Sequence, residues 1–179
     1  MKGLTQLEKE LIEAKANEIT QKYGTTSGDI DVIKIARNMG FLIGEMELKD
    51  EEDGFIVVNE NEDSVLGQSS NKLIVVNSDR DALLKYFVIA HELGHYVLRD
   101  NVNEPIFAHR ENKKGKNEKE NEIDFFAACL LMPRERFKKV YESLNVVYED
   151  NENKLLNELS EYFHAPLLSV ARRVEEIRE

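Results

Sequence analysis

The chain has 179 residues, 41% of them apolar and 33% charged, which is the length of one domain and too apolar for a disordered chain. Its 24 Lys and Arg face 35 Asp and Glu, a formal charge of −11 that excludes a general nucleic-acid binder, because neutralising phosphates takes clustered cations. A single Cys excludes an internal disulfide and a Cys-only metal site and fits a reducing cytoplasm.

The N-terminal stretch lacks the continuous apolar core of a signal peptide. The longest apolar run, Phe125–Met132, is too short to span a bilayer, so a cytoplasmic protein without a membrane segment is expected. We expect one domain over 1–179, with an N-terminal helix over 1–24 and a helical pair over 145–179. Leu4 to Tyr23 has apolar residues at helical spacing, and Thr5 with Glu8 forms a possible capping box before Gly24 ends the helix. A second helix is predicted from Asp29 to Met39, stopped by Gly40. Strand-like segments follow at Phe41–Met46, Phe55–Asn59 and Leu73–Asn77. Between Glu45 and Asp63 nine acids face one Lys. That stretch reads as a solvated acidic face, or as a patch that steers a basic partner.

Asp81 to Arg99 is helical and unusually apolar, so much of it is expected to be buried. Residues Arg110–Lys119 carry five basic and two acidic groups and read as a loop. Helices are predicted over Glu118–Leu131 and, with Pro133 at its first turn, over Arg134–Leu144. Leu155–Phe163 and Pro166–Ile177 form a closing pair, within which His164 is expected to cap or pack.

The apolar helix contains His91-Glu92-Leu93-Gly94-His95, an HExxH pattern. Two His at i and i+4 lie about 40° apart on the helical wheel, one turn along, and can converge on one ion. Glu92 projects about 100° from His91, placed to take a proton without occupying the metal. A bound Zn²⁺ lowers the pKa of its water to about 7, within reach of a carboxylate base. Two His and a Glu in a buried helix are costly without partners. Gly94 is a poor helix former that admits a close neighbouring backbone. The plain alternative is a pair of core histidines bonded to carbonyls.

A catalytic site of this kind needs a third protein ligand. Cys129 sits in an apolar helix and reads as a small core residue. Glu122 shares a helical face with Phe125, Phe126 and Cys129 and is therefore the expected third ligand. Its alternative reading is a carboxylate favoured by the helix dipole. Glu120 lines up instead with Asp124, Ala127 and Leu131, and Glu118 lies a turn back. His109 is a candidate ligand or oxyanion donor, or simply a loop residue. Asp124 is a candidate acceptor for the other ring N–H of a ligand His. Tyr96 is expected to pack in the core, with its hydroxyl near the cleft.

Three stretches together resemble the ImmA/IrrE family of metallopeptidases. They are Ile30–Ala36 followed by Met39-Gly40, then Phe87–Leu98 around the HExxH, then Glu122–Pro133. The last is similar to a Glu-Ala-Asn-x-Phe-Ala-Ala-x-Leu-Leu-Met-Pro pattern, with Ile123 and Asp124 in place of Ala-Asn. The resemblance implies an α+β, zincin-like fold with a small antiparallel sheet on the active-site helix. It implies Zn²⁺ on His91, His95 and Glu122, with Glu92 as general base. It also implies a helix-turn-helix repressor as substrate, cleaved to release genes of a mobile element, a phage or a stress response. Imidazole and carboxylate donors equally admit Mn²⁺ or Fe²⁺.

Two other readings stand beside this one. The first is a binding module that sequesters a regulator without cutting it. The second is a DNA-binding regulator built on the closing helix pair. Residues 152–179 hold four basic and six acidic groups, the wrong sign for DNA, so no direct nucleic-acid binding is expected.

Overall fold

The computed structural model describes residues 3–24, 30–59, 71–99 and 118–178, and the backbone pairing of 106–111. The elements in chain order are α1 (Gln6–Tyr23), α2 (Val32–Asn38), β1 (Leu42–Met46), β2 (Glu52–Val58), β3 (Lys72–Asn77), α3 (Ala82–Val97), β4 (Ile106–Glu111), α4 (Glu118–Leu131), α5 (Arg134–Val147), α6 (Glu152–Phe163) and α7 (Leu167–Arg178). This is the α+β class that the sequence leads one to expect.

Local chemistry sets the helix starts. Thr5 and Glu8 form the full capping box of α1. Asp31, Asp81 and Asn151 each accept a backbone N–H in the first turn of α2, α3 and α6. Helix α6 ends at His164, whose φ of 50° places it in the left-handed region. Its ring stands edge-on to Tyr86, 5.4 Å between centroids, which fits the expected capping and packing role. Helix α5 runs on to Val147, past the point where the closing helical pair was expected to begin.

The sheet has the order β1-β3-β2-β4. It is mixed, where an antiparallel sheet was expected. Strand β3 inserts between β1 and β2, running with β1 and against β2. Strand β4 pairs antiparallel with β2 and forms an edge. That strand was not anticipated, and residues 112–117 of the expected loop lie outside the described residues.

One face of the sheet covers α3. Ile56, Val58, Ile74 and Val76 are buried with Phe87, Val88 and Leu93 of the helix. Each such side chain contributes about 1.5–3 kcal/mol on burial. At Gly54 in β2 a Cβ would stand 2.5 Å from Val88 Cγ1 and 2.7 Å from Val75 O, so glycine lets the sheet press onto α3. On its other side α3 packs on α4, and α1 lies across α4 in turn. Gly94 makes the α3–α4 contact close. A Cβ there would meet Ile123 Cγ2 at 2.9 Å and Phe126 Cδ1 at 3.2 Å.

Candidate metal centre

Helix α3 buries the whole of Phe87–Gly94, and His91 and Glu92 have no exposed surface. The rings of His91 and His95 stand one turn apart, 5.0 Å between centroids at 73°. Opposite them is the first turn of α4. Glu120 Oε2 lies 3.3 Å from His91 Nε2, and Glu120 Oε1 lies 3.8 Å from His95 Nε2. One donor atom from each of His91, His95 and Glu120 lies within 4.8 Å of the others.

The third carboxylate is therefore Glu120, not Glu122. The face argument misplaced it because α4 is packed on two sides. Ile123 and Phe126 look at α3, as the contacts around Gly94 show. Phe125 lines clefts against α1 and α7, and Glu122 lines a cleft against α1 with Leu11 and Ile12. Its carboxylate lies 3.5 Å from Lys119 Nζ. Sharing a face with Phe125 and Cys129 thus directs Glu122 away from the histidines. The signal for Glu120 was its i, i+4 spacing to Asp124, with buried Ala127 and Leu131 continuing that strip.

Asp124 Oδ1 lies 2.9 Å from His91 Nδ1. An ionised carboxylate only accepts, so Nδ1 carries the proton and donates, leaving the Nε2 lone pair turned towards Glu120. The expected role of Asp124 thus has its geometry in place. Burial, then the neighbouring His91, push the His95 imidazole down to about 4 against the opposing pull of Glu120, so its ring is neutral at pH 7.

The buried Nε2 atoms of His91 and His95 make no hydrogen bond within the described residues. Two orphaned imidazole nitrogens facing one carboxylate are costly as they stand. A divalent cation satisfies all three, and the residues fit one. Glu92 occupies the adjoining strip of α3, fully buried, one residue from a ligand and outside the ligand set.

His109 falls on β4 opposite Phe55, so the loop reading is replaced by a place on an edge strand. Its side chain is outside the described residues. Tyr96 packs edge-on to Phe41 at 5.2 Å, and its hydroxyl accepts from Lys72 Nζ at 2.7 Å. Cys129 is buried, and burial pushes its thiol up to about 12, as a small core residue requires.

Fold and site together define an α+β domain with a His-His-Glu group that could hold a metal ion, beside a buried glutamate. Residues 39–175 match the Peptidase_M78 family, described as the IrrE N-terminal-like domain, and the chain belongs to that family. This places it with the metallopeptidase-like proteins of the IrrE/ImmA group. No curated protein sequence matches the chain. A solved structure titled "Mycobacterium tuberculosis transcriptional regulator" has a similar fold, with a TM-score of 0.54 at 15% identity. The match covers 92% of this chain and 46% of that one, so this chain spans about half that structure's length. Among the described residues no helix is long and apolar enough to cross a membrane.

Proposed function

We propose that the protein is a zinc-dependent endopeptidase of the cytoplasm that cleaves a helix-turn-helix repressor and so releases the genes it holds. The observation that carries the peptidase reading is the convergence of His91, His95 and Glu120 within 4.8 Å, beside a buried Glu92 that is not among the ligands. A structural metal site has no use for that fourth group. The repressor as substrate is supported by the resemblance of the three motif stretches alone.

His91, His95 and Glu120 would hold the ion, which when bound supplies Lewis-acid polarisation of the carbonyl and an acidified water. Asp124 keeps His91 in the tautomer that presents Nε2. The Glu92 carboxylate takes a proton from the attacking water as its oxygen bonds to the scissile carbonyl carbon. The same proton then passes to the amine nitrogen as the C–N bond breaks, leaving a carboxylic acid and an amine, between which the second water proton moves to give carboxylate and ammonium. Imidazole and carboxylate donors suit Zn²⁺, and Mn²⁺ or Fe²⁺ fit the same set.

Incubation with the repressor, with and without chelator, tests this reading. Wild type should cleave and chelation should stop it. Glu92→Gln should keep metal and fold while cleaving about 10²-fold or more slowly. Stoichiometric binding of the repressor without any cleavage would show a sequestering module instead.

A further inference from the structure

Outside the metal group, the described residues form a cavity of about 190 Å³ between α1, α4 and α7. Its floor is apolar, made by Leu4, Phe87, Phe125 and Ala128, and its wall includes Asp124. It adjoins a more polar cleft of about 480 Å³, with which it shares Lys9, Phe125 and Glu176. Three cations line it. Arg173 is already neutralised, donating to Glu13, to Glu176 at 2.9 Å and to Met132 O at 3.1 Å. Lys9 and Arg172 are different: neither side chain has an ion pair or hydrogen bond among the described residues. In a chain of 35 acids, two cations from separate helices meet at one cavity with no acidic partner for either.

We propose that this cavity binds a small anion carried on a short apolar body, such as an aromatic carboxylate or phosphomonoester. The anionic oxygens would sit between Lys9 and Arg172, beside the Ser169 hydroxyl and the Asn121 amide, with the ring on Phe87 and Phe125. The lining sets three cations, Lys9, Arg172 and Arg173, against Asp124 and Glu176, and this excess of one positive charge favours an anion, while the apolar floor favours a body over a bare ion. Lys9 belongs to α1, which lies before residue 39, where the family match begins. The site is thus assembled between the shared domain and an element outside that match. Its occupant would touch Asp124, the residue that holds His91. Binding therefore couples to metal affinity, a consequence that rests on the metal reading above, whereas the site itself does not.

Titration of the full chain, metal-free, with phenyl phosphate, benzoate and inorganic phosphate tests the proposal. Saturable binding of either aromatic anion is expected, weakened about 10-fold or more in Lys9→Ala/Arg172→Ala. Ala128→Leu, which fills the floor, should block it while leaving metal binding in place. Absence of saturable binding at millimolar probe, or unchanged binding in both variants, would overturn the site. Equal binding of inorganic phosphate would overturn the apolar contribution. With Zn²⁺ present, the aromatic anion should shift metal affinity about 5-fold or more, and an unchanged affinity would overturn the coupling.

Discussion

Asp124 decides how His91 is presented. Its carboxylate fixes the proton on Nδ1 and holds the ring towards Glu120. Asp124→Ala should therefore weaken metal binding about 10–100-fold with little change in fold, measured by competition with a chromogenic chelator. Asp124→Asn keeps an acceptor and should lose less. The i, i+4 spacing of the histidines made their convergence legible in sequence, because the helix alone fixes it. Glu120 was not legible that way. Its place depends on which strip of α4 faces α3, and a helix buried on two sides carries apolar residues on both. Only the pairing of Glu120 with Asp124 on one strip distinguished it from Glu122.

The close approach of α3 and α4 sets the distance between the histidines and Glu120. Gly94 permits it, and Gly94→Ala would force Ile123 and Phe126 outward. Overpacking of this kind costs about 1–3 kcal/mol, against about 1 kcal/mol gained in helix propensity. A net loss of melting temperature is expected, together with weaker metal binding, since α4 carries Glu120. Helix α7 is tied elsewhere. Arg173, 1% exposed, joins Glu13 of α1 to Glu176 and the Met132 carbonyl. Arg173→Met leaves Glu13 only the longer contact with Arg134, at 3.9 Å, and should destabilise the fold, by no more than the about 3–5 kcal/mol of a fully broken buried pair, read by denaturant unfolding. The helices were legible because caps such as Thr5, Asp81 and Asn151 sit at their starts. Strand β4 was not, because Ile106–Glu111 leads into a polar, Lys-rich stretch and owes its structure to pairing with β2. The parallel β1–β3 pair is likewise a matter of strand order, which no local pattern encodes.

Across the molecule, a net charge of −11 is distributed with purpose at some points. Glu45 pairs with Lys85 at 2.7 Å, and Asp53 pairs with Arg80 at 2.7 Å while Arg80 also donates to Asp50 O. Part of the acidic stretch between Glu45 and Asp63, Glu45 in β1 and Asp53 in β2, therefore holds the sheet to the start of α3. The whole arrangement serves one geometry: the sheet presses on one side of α3 while α4 delivers Glu120 from the other. Metal titration of wild type, Glu120→Gln and Glu122→Gln tests that geometry most directly. Wild type should take up one ion per chain. Glu120→Gln should lose more affinity than the about 10–100-fold that removing a supporting hydrogen-bond partner costs, and Glu122→Gln should bind as wild type does. Full affinity in Glu120→Gln, with the loss in Glu122→Gln, would contradict the site described here.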